Sequence, residues 1–132
     1  MPIAPPQTRL RWIKLNGKDA LLVDFSQAKP AESLELIETF RQAMQGRAPG
    51  SVLLLTDVTQ AEYEGSISTR WKAARSEFSP FIRASAIWGL SGLVGMAVRG
   101  MIDAMRLLGL TTDKHLRIFS TEAEAHEWLG QQ

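Results

Sequence analysis

Hydrophobic and polar residues alternate near the start of the chain in a way that predicts a β-hairpin. Residues 8–15 (TRLRWIKL) interleave basic and apolar side chains, whereas residues 20–25 (ALLVDF) are almost continuously apolar. Asn16 and Gly17 lie between the two runs, and this dipeptide favours the positive φ values that a two-residue type I′ turn needs. The pattern therefore predicts a half-exposed edge strand followed by a buried strand.

Helical periodicity and short apolar runs alternate along the rest of the chain. Helices are predicted at residues 30–45, 66–78, 92–108 and 121–129, and strands at residues 51–58, 83–89 and 116–119. Pro30 suits the first position of a helix, Gly46 suits the position after its end, and Thr121 with Glu124 forms a capping-box pattern. No internal repeat is recognised. The order β-β-α-β-α-β-α-β-α predicts an α/β fold: one layered domain with a mostly parallel five-stranded sheet, an antiparallel N-terminal hairpin strand and about four helices.

Composition and charge narrow the classes of function. The 132 residues suffice for one domain, and 15 basic against 14 acidic side chains give a net charge of +1 with no dense basic region, so nucleic acid is not an expected partner. The four tryptophans fall on four different elements at inward positions, which indicates core packing rather than a stacking platform for bases.

The N-terminal segment and the hydropathy indicate the cellular location of the protein. Residues 1–7 hold three prolines and no apolar signal-peptide core, so we expect a flexible N-terminal arm before a single domain spanning residues 8–132. No apolar stretch reaches the roughly 18 residues of a membrane span. The chain has no cysteine, which excludes disulfides and thiol nucleophiles. A cytoplasmic protein without a membrane span is the expectation.

Polar side chains gather where the predicted central strand ends. Asp57 and Thr59 follow its apolar run, and Ser66 begins the next predicted helix. Loops at the carboxyl ends of parallel strands meet at one edge of a sheet, and ligands bind there. In the simplest interpretation, Asp57 and Thr59 hydrogen-bond loop amides while Ser66 caps the helix. The alternative is a binding or regulatory rim, to which Ser91 and Gly92 at the next strand-to-helix turn would also belong.

No catalytic or metal-binding constellation accompanies this rim. His115 and His126 are the two histidines, and no ligand spacing connects them, so both are expected at the surface. Residues 89–95 (GLSGLVG) match neither the dinucleotide-binding nor the P-loop pattern. We therefore expect no catalytic residue, no metal and no cofactor, and a protein that is not an enzyme.

The predicted helix at residues 92–108 is apolar around more of its circumference than one sheet face requires. Its charged residues fall on one narrow stripe, whereas packing on a sheet needs an apolar arc of about 100°. Its three methionines, which suit an adaptable contact, are Met96, Met101 and Met105. Burial beneath the last helix and the N-terminal arm would explain the pattern. Otherwise this helix forms a homodimer or partner interface, or the wall of an apolar pocket.

Three segments, SVLLLTDVT, RASAIWGLSGL and RIFSTEAEAHEWL, resemble in order and spacing the STAS family, specifically its small SpoIIAA-like members, also described as STAS/SEC14 domain proteins. The resemblance runs from about residue 8 to residue 129. It implies a STAS-like fold and a non-catalytic regulatory or binding module that acts through protein–protein interaction. Its SEC14-like side implies the alternative, a carrier or sensor of a lipid or another apolar small molecule.

The resemblance also implies a phosphorylation switch. Anti-sigma-factor antagonists of this fold carry Asp-x-Ser/Thr at the end of this strand, which Asp57-Val58-Thr59 resembles. They then carry a phosphorylatable serine at the head of the following helix, where Ser66 falls. The family serine stands in an Asp-Ser-Ser-Gly context, and Ser66 departs from it, because the sequence here reads Glu64-Gly65-Ser66-Ile67. A phosphate at a helix N-terminus meets unpaired N–H donors, although the neighbouring Glu62 and Glu64 would repel it.

Overall fold

Five strands form one mixed sheet in the structure, a computed structural model that describes residues 9–61, 65–89 and 116–132. The strands are β1 (Leu10–Leu15), β2 (Lys18–Asp24), β3 (Val52–Asp57), β4 (Ile82–Trp88) and β5 (Leu116–Phe119). They lie in the spatial order β1-β2-β3-β4-β5; β1 pairs antiparallel with β2, and the other neighbours are parallel. The predicted five-stranded sheet with an antiparallel hairpin strand is confirmed.

The described residues contain three α-helices: α1 (Pro30–Met44), α2 (Gly65–Glu77) and α3 (Glu122–Gly130). About four were expected for the whole chain, and the described residues show three. The remaining predicted helix, at residues 92–108, lies outside the described residues, as does the predicted arm at residues 1–7. None of the helices within the described ranges has the length and hydropathy that crossing a bilayer requires.

Local sequence signals place the first turn and the helix ends. Asn16 and Gly17 have φ values of 51° and 78°, as the predicted hairpin turn needs. Pro30 opens α1, and Gly46 follows its end at a φ of 75°. The Oγ1 atom of Thr121 accepts a hydrogen bond from the backbone N–H at residue 124, which confirms the predicted cap of α3.

An apolar core lies on each face of the sheet, and β3 is therefore buried on both sides. Its residues Val52 and Leu54 belong to the core beneath α1 and α2, whereas Leu53 and Leu55 belong to the core beneath α3. All four are at most 2% exposed. The continuous apolar run therefore forms the interior strand that its pattern predicts.

One tryptophan does not follow the expectation of core packing. Trp71, Trp88 and Trp128 are buried or pack partly buried against the two cores. Trp12 is 37% exposed on β1. The reason is topological: β1 is an edge strand, so no second neighbouring strand in the described residues helps to cover this side chain.

Candidate functional site

Three parallel strands end at the same level on one edge of the sheet. The register pairs Asp24 of β2 with Asp57 of β3, and Asp57 with Trp88 of β4. Leu22 and Leu55 lie on the face covered by α3, and side chains two residues apart on a strand share a face. The two aspartates therefore project from that face at adjacent positions. We call residues 24–28, 57–61 and Gly89 the strand-end rim.

The first two segments of the rim have the same sequence pattern. Residues 21–28 read LLVDFSQA and residues 54–61 read LLTDVTQA, so that Leu, Leu, Asp, Gln and Ala recur in the same places. The strand register aligns Leu21 with Leu54 and Asp24 with Asp57, which superimposes one segment on the other. The expectation of no internal repeat is wrong at this short scale. The signal was present in the sequence as the motif Asp-x-Ser/Thr-Gln-Ala.

The repeated motif folds into two equivalent turns. Asp24 Oδ1 accepts a hydrogen bond from the N–H of Ser26 at 2.8 Å, and Asp57 Oδ1 accepts one from the N–H of Thr59 at 2.9 Å. Thr59 Oγ1 donates a further hydrogen bond of 2.6 Å to the same oxygen of Asp57. These are Asx turns, in which a side chain replaces a backbone acceptor.

Each turn then places a glutamine in the left-handed region of backbone space. Gln27 and Gln60 both have a φ of 55°, which few non-glycine residues adopt. Their exposed side chains meet, because Gln27 Nε2 donates to Gln60 Oε1 at 3.1 Å. The N–H of Gln27 donates to the carbonyl of Thr59, and the N–H of Phe25 to that of Asp57, both at 2.8 Å. Backbone hydrogen bonding between β2 and β3 thus continues past the strands and fixes the turns side by side.

The end of β4 completes the rim through a close backbone approach. The N–H of Val58 donates to the carbonyl of Trp88 at 3.0 Å. Gly89 has a φ of 95°, and a Cβ atom there would lie 2.3 Å from Thr59 Oγ1. Only glycine fits this position without displacing the Asp57–Thr59 turn.

Arg9 stabilises the rim by hydrogen bonds to its backbone, a role that the sequence does not signal. Its Nη1 donates to the carbonyls of Asp24 and Ser26 at 3.1 and 2.9 Å, and its Nη2 lies 3.2 Å from Glu32 Oε2. The side chains of Arg9 and Glu32 are only 13% and 11% exposed. The guanidinium of Arg9 therefore links the Asx turn at Asp24 to the start of α1. These partners lie 15 to 23 residues away, beyond the reach of a local pattern.

The structure brings Asp57 and Thr59 together, as expected for loop-stabilising residues. Ser66 is exposed in the first turn of α2. This helix begins at Gly65, one residue before the predicted start, so Ser66 lies inside the first turn rather than ahead of it as a cap. Ser91 and Gly92 lie outside the described residues and remain predictions, and the same holds for Met96, Met101 and Met105.

The histidines and the possible metal-binding groups do not add a reactive side chain to the rim within the described residues. His126 packs edge-on against Trp88 with ring centroids 6.2 Å apart, and its Nε2 lies 3.3 Å from Glu122 Oε1. It is partly buried rather than a free surface residue; His115 lies outside the described residues. Within the described ranges, no group of three or more histidines and carboxylates is arranged to hold a metal ion.

Two cavities among the described residues also lie away from the rim. One of about 280 Å³ lies between the β1–β2 turn and the end of α3, where Asn16 Nδ2 donates to the carbonyl of Gly130 at 2.7 Å. The other, of about 130 Å³, lies between α1 and α2 and is lined by side chains that include Arg41 and Arg70. No residue of the strand-end rim lines either cavity.

The sheet order, the antiparallel first strand and the helices on both faces define a STAS-like α/β fold. Among solved structures, the chain is similar to one described as an anti-sigma-factor antagonist (STAS) domain protein from Planctomyces limnophilus, with a TM-score of 0.56 and 18% sequence identity. The alignment covers 91% of this chain and 96% of that chain. The resemblance seen in the sequence is thereby confirmed at the level of the fold. No family model and no curated protein sequence matches the chain.

Proposed function

We propose that this protein is a non-catalytic regulatory module that binds a partner protein through the strand-end rim. The observation that carries the proposal is the pair of side-by-side Asp-x-Ser/Thr-Gln-Ala turns, fixed by hydrogen bonds between Phe25, Gln27, Asp57 and Thr59. The similar STAS structure is described as an anti-sigma-factor antagonist. That description supports a regulatory role for this fold.

Preorganisation is the physical reason to expect binding at the rim. Both turns are held by side-chain and backbone hydrogen bonds before any partner arrives, so little conformational entropy remains to be lost on association. The exposed side-chain amides of Gln27 and Gln60 offer hydrogen-bond donors and acceptors on the strand-end rim. The rim lines neither described cavity, which favours a macromolecular partner over an enclosed small molecule. Asp57 is engaged in its turn, which favours a positioning role over acid–base catalysis.

Regulation by phosphorylation at Ser66 is the finer part of the proposal. Ser66 is exposed in the first turn of α2, where backbone N–H groups have no partner within the helix. A phosphate there would add about two negative charges at the start of α2, the helix that follows the rim segment 57–61 in the chain, and change the affinity for a partner. Glu62 and Glu64, which precede Ser66 in the chain, add like charge, so we expect the modified state to lose an acidic partner and to retain a basic one.

The alternative functions rest on the predicted helix at residues 92–108. An apolar pocket for a lipid, or a homodimer through Met96, Met101 and Met105, requires a surface that the described residues do not contain. Both stay predictions, as does the cytoplasmic location. The rim is the better-supported site because the hydrogen bonds that build it lie within the described residues.

Site-specific photo-crosslinking tests the proposal in the cells that make the protein. A crosslinking amino acid is placed at Gln60 on the rim, and a matched control at Ala48, which is exposed in the connection between α1 and β3. We expect one discrete protein adduct from position 60 and none from position 48. The adduct of an acidic partner should weaken when Ser66→Glu is added, that of a basic partner should persist, and Ser66→Ala should leave either adduct unchanged. Equal adducts from both positions, or none from position 60 in folded protein, would reject the proposed binding surface.

A further inference from the structure

The outer edge of β1 is open in the part of the chain that the structure describes. β1 is the first strand of the sheet and pairs only with β2 there. Within the described residues its outward backbone N–H and C=O groups therefore face no further strand. Proteins normally protect such an edge or use it.

An exposed aromatic side chain lies on this edge. Trp12 is the large hydrophobic residue that stands exposed among the described residues, at 37%. The guanidinium carbon of Arg47 lies 4.1 Å from the centroid of its ring, a cation–π contact that holds both side chains in place. Tryptophan and arginine are among the residues most enriched in the energetic hot spots of protein interfaces.

Positive charge is concentrated around the same edge. Residues 10–19 hold three basic side chains and one acidic one, a balance of +2, and Arg47 raises it to +3, whereas the whole chain carries only +1. The acidic residue, Asp19, is already paired with Lys14. Arg11 and Lys18 are exposed. The charge complement of this surface is therefore an acidic partner.

A second copy of the chain fits the edge poorly. Self-pairing would bring together two edges that each carry a balance of +3, and like charges on neighbouring strands are destabilising. Basic residues on an edge strand also discourage non-specific pairing. That protective role explains the charges, but it does not explain an exposed tryptophan stacked beneath an arginine.

We propose that the outer edge of β1 binds an acidic, extended segment of a partner protein by strand addition. Trp12 and Arg47 would anchor an apolar side chain of that segment. Arg11 would pair with one of its carboxylates, and Lys14 would exchange Asp19 for another. Backbone hydrogen bonds to the added strand would supply much of the affinity, and the alternating side chains the specificity. This surface is separate from the strand-end rim, so its test is independent of the proposed function.

A peptide titration followed by ¹⁵N NMR tests the inference on the whole protein. The probe is a capped hexapeptide Val-Glu-Val-Val-Glu-Val, which sets its two Glu opposite Arg11 and Lys14 and a Val opposite Trp12 in either strand direction. Its matched control has Lys in place of Glu. We expect the Glu peptide to shift the amide signals of Leu10–Leu15 and to slow their hydrogen exchange, with binding that weakens as salt is raised. The Lys peptide should leave these signals unchanged. Equal effects of both peptides, shifts confined to other elements, or no binding of the Glu peptide would overturn the proposal.

Charge reversal adds a second arm. The double variant Arg11→Glu, Lys14→Glu should weaken binding of the Glu peptide at least about tenfold. A control pair on α2, Arg70→Glu with Lys72→Glu, makes the same change in net charge at exposed positions and should leave binding within about twofold. Equal losses in both pairs would show a general charge effect and overturn the proposal. A dimer that dissociates on Trp12→Ser would assign the edge to self-association instead, and the wild-type peptide comparison decides the question if either variant fails to fold.

Discussion

Gly89 and Thr59 lie so close together that no side chain fits between them. A Cβ atom at Gly89 would stand 2.3 Å from Thr59 Oγ1 and 2.6 Å from its backbone nitrogen. The same Thr59 groups donate the two hydrogen bonds that Asp57 Oδ1 accepts. The end of β4 therefore controls the geometry of the turn that follows β3.

Replacing this glycine should cost more than its backbone angle alone explains. Gly89→Ala introduces both a strained φ of 95° and a clash, so we expect the free energy of unfolding to fall by about 3 kcal/mol. Gly46→Ala is the matched control: its φ is 75°, but a Cβ there meets nothing within 4 Å, and the cost should be about 1 kcal/mol. Urea denaturation measures both. Equal losses would show that the contact with Thr59 is not tight.

The two equivalent turns should differ in their sensitivity to loss of the aspartate. Asp57 accepts two hydrogen bonds and Asp24 accepts one through the same atom type. We expect Asp57→Ala to lower the free energy of unfolding by about 2 kcal/mol and Asp24→Ala by about 1 kcal/mol. Thermal or urea unfolding of the two variants gives the comparison. A larger loss at Asp24 would contradict the expected order.

Thr56 carries a buried hydroxyl without a hydrogen-bond partner in the described structure. The residue is 1% exposed, and its Oγ1 is unsatisfied. Thr56→Val keeps the shape and removes the desolvated hydroxyl, so we expect a gain of about 1 kcal/mol in the free energy of unfolding.

Thr121→Val provides the control for that substitution, with the opposite sign. The Thr121 hydroxyl caps α3, and its loss should cost about 1 kcal/mol. The two variants are compared by urea denaturation. If Thr56→Val also destabilises, a partner for that hydroxyl exists in solution.

The Lys14–Asp19 pair should be visible in an acid titration. The hydrogen bond from Lys14, followed by the charge of Lys14 and then that of Arg47, holds the pKa of the Asp19 carboxyl below its ordinary value of 3.8. Because the folded-state pKa is the lower one, the stabilising contribution is complete above the unfolded-state pKa. It is lost as the pH falls through the folded-state pKa.

Carboxyl ¹³C NMR measures this titration. Lys14→Gln should raise the pKa of Asp19 towards 3.8, whereas Arg41→Gln, which removes a cation paired with Glu77, should not change it. An unchanged pKa in Lys14→Gln would show that the pair does not persist in solution.

The local sequence predicts part of the strand-end rim. The apolar run before Asp57 predicts an interior strand, and Thr59 two residues later predicts an Asx turn, because both depend on neighbours in the chain. The motif that repeats this turn after Asp24 was equally local, and comparison of residues 21–28 with 54–61 would have revealed it. By contrast, Arg9 is one of several scattered basic residues in the sequence, and nothing nearby distinguishes it.

The sequence by itself determined the helices and strands and several of the turns and helix ends: the Asn16–Gly17 turn, the start of α1 at Pro30 and the cap at Thr121. Each depends on φ preferences or hydrogen bonds within a few residues, which local composition specifies. Only the tertiary structure decided that the two Asp-x-Ser/Thr-Gln-Ala turns lie side by side, that Gly89 must be bare and that Trp12 stands exposed. Those facts depend on strand order and register, which arise when residues far apart in the chain bury their apolar faces together.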